Sequence, residues 1–110
     1  MKSITAIVQN EDANKLISAL RDKGFSSTKL SSTGGFLSSG NTTIISLVED
    51  ERVDEEIEVI REVCKLKKKI TAAIPPSSFS NISGYMPQTI EVTVGGAVVY
   101  VTNVERFEKI

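Results

Sequence analysis

The chain has 110 residues, of which 40% are hydrophobic and 25% charged, and a formal net charge of −1. That size suits one domain, 1–110, and that balance suits an ordinary globular one, with no global pull toward nucleic acid or an anionic membrane. His and Trp are absent and Cys64 is the single cysteine, which removes the commonest general base, the commonest metal ligand, an internal disulfide and much of the surface for stacking single-stranded nucleic acid.

No apolar run approaches the roughly 20 residues that span a bilayer. Met1-Lys2-Ser3-Ile4-Thr5 leads into a strand pattern without a signal-peptide core, so a cytoplasmic protein with no membrane partner is expected.

From Ser3 to Val8 the chain alternates, Ile4, Ala6 and Val8 on one face, Thr5 and Ile7 on the other; this predicts a first strand. Asn10 is the expected N-cap of a helix, with Glu11 and Asp12 in the first turn, where acids suit the dipole. Ala13, Leu16, Ile17 and Leu20 recur at helical spacing and form one apolar stripe. Gly24 stands where a C′ glycine belongs, and Phe25 behind it can pack back on Leu20.

Ser26 to Ser31 reads as a second strand, polar by core standards, with Thr28 and Leu30 on one face. It runs into Thr33-Gly34-Gly35-Phe36-Leu37-Ser38-Ser39-Gly40-Asn41. Glycines leave backbone N–H groups open to an anion, and one aromatic offers a flat face to a base. Two readings stand side by side: a nucleotide-binding loop, or a hairpin connection whose Phe36 and Leu37 plug the core. Thr42 to Val48 is a β-branched run and predicts a buried strand.

A second helix is expected from Asp50 or Glu51, with Val53, Ile57, Ile60, Val63 and Cys64 as its stripe. Acids, Glu56 among them, crowd its front, and Lys65, Lys67, Lys68 and Lys69 its back, which complements the macrodipole. Glu58 with Arg61 and Glu62 with Lys65 can pair at i,i+3. Cys64 lies on the stripe and is expected buried and inert.

Ile70 to Ile74 predicts a short strand. Residues 75–87, rich in Pro, Ser, Asn and Gly, predict a long loop with apolar handles at Phe79, Ile82, Tyr85 and Met86 that could close over a ligand or partner. Thr89 to Val94 alternates, Gly95-Gly96 is a two-residue hairpin signal, and Ala97 to Val101 is the expected partner strand. Residues 103–110 are expected to form a tail of about one helical turn. The order is β-α-β-β-α-β with a terminal hairpin: an α+β, ferredoxin-like sandwich with both helices on one face of an antiparallel sheet. The Val and Ile supply exceeds what one helix layer can use, which predicts a homo-oligomer burying the open face.

Ala6-Ile7-Val8-Gln9-Asn10, Thr28-Lys29-Leu30, Thr33-Gly34-Gly35-Phe36-Leu37, Gly40-Asn41-Thr42-Thr43 and Val94-Gly95-Gly96-Ala97 together resemble the PII-like cyclic di-AMP receptor proteins of Gram-positive bacteria. The resemblance implies a homotrimer that binds cyclic di-AMP between subunits, needs no cofactor or metal, is not an enzyme, and signals to a downstream protein through flexible loops. It implies a ligand site at Thr28, Gly35, Phe36, Leu37 and Asn41. Phe36 would stack on adenine, Gly35 and Leu37 would offer main-chain groups, and Thr28 and Asn41 would bond a base edge or phosphate.

The chain departs from that pattern at three places. Ser26 stands where the family usually has arginine, Ser38 near another basic position, and Leu47 where glycine is usual. The first two remove charge-assisted contacts of roughly 1.5–3 kcal/mol each; the third puts bulk where backbone could approach a ligand. A PII-like interaction protein with weakened, lost or altered nucleotide binding is therefore the second reading. A small carboxylate enzyme is a third, and it is disfavoured because the acids cluster on an exposed helix front, away from any nucleophile.

Overall fold

The computed structural model describes residues 1–32, 40–73 and 88–110, with side chains for 1–30, 40–68 and 91–110. Strand β1 (Lys2–Gln9) leads into helix α1 (Asn10–Asp22), then β2 (Ser27–Ser32) and β3 (Asn41–Val48). A 3₁₀ turn (Asp50–Arg52) opens α2 (Val53–Cys64), followed by β4 (Lys67–Ala73), β5 (Gln88–Val94) and β6 (Ala97–Asn103).

Four strands form one antiparallel sheet in the order β2-β3-β1-β6, and β4 and β5 form a separate ribbon. This is the expected ferredoxin-like sandwich, two interleaved split βαβ units. Helix α1 carries the chain from β1 to β2 with β3 between them, and α2 carries it from β3 toward β6 with β1 between them. The ribbon is an insertion in that second crossover.

Alternation along the strands sets the core. Ile4, Ala6 and Val8 of β1 lie opposite Ser46, Ile44 and Thr42 of β3 and face the helices. With Ala13, Leu16 and Leu20 of α1 and Ile60 and Cys64 of α2 they form one buried cluster. Full burial of Leu16 and of Leu20 stabilises by about 1.5–3 kcal/mol each.

Helix α1 ends as its sequence predicts. Gly24 has φ +84°; its N–H donates to Arg21 O, and Phe25 N–H donates to Leu20 O at 2.8 Å, the paired bonds of a Schellman end. Arg52 adds a bond to the Lys23 carbonyl at 2.7 Å and stacks its guanidinium 4.0 Å over the Phe25 ring. The turn before α2 is thereby tied to the end of α1. The Glu58–Arg61 and Glu62–Lys65 pairs form.

Six expectations are corrected. The N-cap of α1 is Gln9, and it makes no side-chain capping bond; Asn10 instead accepts a hydrogen bond from the Thr42 hydroxyl at 2.7 Å. Helix α2 stops at Cys64, so Lys67, Lys68 and Lys69 belong to β4 and not to the helix end. For the same reason β4 starts three residues before Ile70, where the short strand was expected. Glu56 is fully buried rather than part of the solvated front.

The Gly95-Gly96 pair does not close a hairpin: β5 pairs with β4, and β6 pairs with β1. Both glycines take positive φ, +91° and +93°, and swing the chain from ribbon to sheet. Their amides are engaged elsewhere, Gly95 N–H with Gln9 Oε1 at 2.8 Å and Gly96 N–H with the Cys64 carbonyl, which leaves no turn bond between β5 and β6. Finally, residues 104–110 contain no helical turn; Phe107 is exposed, so no apolar contact favours coiling there. The expected 75–87 loop and its apolar handles lie outside the described residues.

Candidate functional site

The β2–β3 hairpin positions what the structure describes of the expected site. Its register pairs Ser32 with Asn41 and Thr28 with Ile45. Thr28 and Asn41 therefore alternate onto the same face of the sheet, the one no helix covers. Four residues of β3 separate their levels, about 13 Å at the usual strand rise. Thr28 is exposed, whereas Asn41 is buried at the root of the connection. Gly35, Phe36 and Leu37 belong to the connection between these strands and lie outside the described residues, as does Ser38.

The uncovered face is apolar in patches. Thr5 and Ile7 are shielded by neighbouring strands, but Leu30, Leu47 and Tyr100 remain 45%, 41% and 48% exposed. Leu47 sits one residue beyond Ser46, the partner of Ser27, and Ser26 immediately precedes Ser27. Two of the three departures from the family pattern thus fall together at the far end of the hairpin.

The root of the 33–39 connection is built on the β1–α1 junction. Asn10 N–H donates to the Gly40 carbonyl at 3.1 Å, and Gln9 is in register with Asn41. Gln9, Asn10, Glu11 and Gly40 border a polar depression of about 250 Å³. A larger, apolar groove of about 660 Å³ runs between α2 and the edge strand β6, lined by Ile57, Ile60, Leu66, Val99 and Val101 among others.

Ser46 and Glu56 meet under the sheet. The Ser46 hydroxyl is 2.8 and 2.7 Å from the two oxygens of Glu56. Burial raises the Glu56 pKa above its ordinary value, opposed by the Ser46 bond and by Arg52. Burial, with the charge of Asp12, also pushes the Cys64 thiol up to about 11, so the thiol stays protonated at neutral pH and its thiolate is not available as a nucleophile. Among the described residues no three potential metal ligands converge, and no helix is long and apolar enough to cross a membrane.

Gln9, Ser46, Glu56 and Gly95 were not singled out as partners by sequence reasoning. A signal for one pair existed. Glu56 falls on the stripe between Val53 and Ile60, and Ser46 falls on the inward phase between Ile44 and Val48.

A crystal structure of a functionally unknown protein from Pediococcus pentosaceus ATCC 25745 superposes with a TM-score of 0.77 at 40% identity, covering 99% of this chain and 96% of that one. The model of the Cyclic-di-AMP receptor family matches residues 1–110, the whole chain. The fold is thus shared with that crystal structure, and the chain belongs to the Cyclic-di-AMP receptor family.

Proposed function

We propose that this chain is a cytoplasmic PII-like signalling receptor that binds cyclic di-AMP between copies of itself, and that it is not an enzyme. The whole-chain family match carries the reading. Thr28 and Asn41 are the ends of the ligand surface, and Gly35, Phe36 and Leu37 complete it, with Phe36 stacked on an adenine. A trimer gives the uncovered face, with Leu30, Leu47 and Tyr100 exposed, a partner of the same composition. The signal then passes through the loops to a downstream protein.

Calorimetry with cyclic di-AMP, cyclic di-GMP and ATP tests the reading. Cyclic di-AMP is expected to give the largest heat. Phe36→Ala is expected to lose about 1–3 kcal/mol of binding, the value of one base–aromatic stack. No heat with any adenine nucleotide overturns the proposal.

One observation favours a second reading, a PII-like interaction protein with altered ligand preference: Leu47 projects on the ligand face beside the level of Ser26. On that reading Ser26→Arg combined with Leu47→Gly creates binding that the parent lacks. Tight binding by the parent overturns it.

A further inference from the structure

We infer that Gln9, with its neighbour Asn10, couples the root of the 33–39 connection to the root of the β4–β5 ribbon, so that occupancy of the nucleotide site changes how the ribbon is anchored. The ligand half of this inference rests on the reading above; the mechanical half rests on contacts present without ligand.

Gln9 touches both roots. Its backbone is paired with Asn41 at the start of β3, and its side-chain carbonyl accepts the Gly95 N–H at 2.8 Å. Gly95 is buried, and a Cβ there would lie 2.6 Å from the Lys65 carbonyl, so the ribbon leaves the domain through a point with little slack. Asn10 is bound on the other side, by its N–H to Gly40 and by its side chain to Thr42. A second tie runs from the same helix start to the ribbon: the Lys67 ammonium is 3.8 Å from the buried Asp12 carboxylate.

A buried amide N–H that loses its acceptor is strongly unfavourable, so the Gly95–Gln9 bond is either made or replaced as a unit. A ligand that pulls on Asn41 shifts the β3 start against Gln9 and changes the strength of that bond. By linkage, anything that holds or frees the ribbon root must alter nucleotide affinity by the same factor.

Amide hydrogen exchange on the full chain, with no nucleotide, tests the mechanical half. Thr42→Val removes the hydroxyl that holds Asn10 and is expected to speed exchange at Gly95 by about threefold or more, although Gly95 is on the ribbon side. Gln9→Met is expected to speed exchange at Gly95 and Asn41 together, and Gln9→Glu, which keeps an acceptor, to restore the parental rates. Parental exchange at Gly95 in Thr42→Val overturns the coupling, and if Gln9→Met does not fold, the Thr42→Val arm decides alone. Calorimetry then tests the ligand half: Gln9→Met is expected to weaken cyclic di-AMP about fivefold, and unchanged affinity overturns the link to the ligand. No heat with the parent overturns the receptor reading itself, while the exchange arm still decides the coupling.

Discussion

The helix-covered face of the sheet and its uncovered face are built from alternate residues of the same strands. On the first, Ile4, Ala6, Val8 and Ile44 are at most 1% exposed. On the second, the middle of β1 and Asn41 are shielded, while large apolar side chains at Leu30, Leu47 and Tyr100 stand in solvent. A strand cannot choose its two faces independently of what lies above each. One layer of two helices closes the centre of one side, with Val101 at the β6 edge left open, and leaves the other side to whatever binds it. The covered face therefore holds the fold, and the uncovered face is free to carry recognition, since changes there disturb no core contact.

The sharpest way to break this contrast is to truncate one residue on each side. Leu16→Ala, in the closed core, is expected to cost about 2–5 kcal/mol in urea unfolding. Leu30→Ala, on the open side, is expected to stay within about 0.5 kcal/mol of the parent when the chain is dilute. A penalty for Leu30→Ala that grows with protein concentration would assign that face to self-association.

A subtler test uses Glu56, a carboxyl group buried under the covered face. The Ser46 hydroxyl donates to Glu56, 2.8 and 2.7 Å from its two carboxyl oxygens, and that bond opposes the effect of burial. Burial raises the folded pKa above the ordinary 4.5. The stability of the fold with Glu56 protonated is therefore fully present below the unfolded pKa and is lost as pH rises through the folded one. Glu56→Gln, neutral at every pH, is expected to flatten that fall when melting temperature is followed from acid to neutral solution. The smallest effect belongs to the exposed Glu58–Arg61 pair: Glu58→Gln is expected to leave the urea midpoint unchanged.

Much of this was legible in the residues. Period-2 and period-3.6 patterns placed β1, α1 and the α2 stripe, and Gly24 with Phe25 marked a helix end that forms bond for bond. Pairing was harder to read. Gly95-Gly96 carries the composition of a tight turn, but composition specifies positive φ and not which strands lie across from each other. Here a Gln9 side chain and a Cys64 carbonyl, both distant in sequence, take the amides that a hairpin would have used. Glu56 was hidden for a related reason: the other acids of the same helix front are solvated, and only its phase on the stripe set it apart. At the candidate site, sequence placed Thr28 on the second strand and Asn41 at the end of the connection after it, whereas Asn41 opens β3. Their common face, and the nearness of Ser26 to the level of Leu47, needed the register.

The meeting of Gly96 N–H with the Cys64 carbonyl also has an evolutionary side. The chain departs from the domain just after Cys64 and returns at Gly95, so the 67–94 excursion enters and leaves through a single gate. Its span can lengthen, shorten or be exchanged without asking the sheet to re-register. Descendants of this scaffold could thus acquire new readers by rewriting one insert while the ligand end stays constant, and an engineer could graft a foreign hairpin at the same gate.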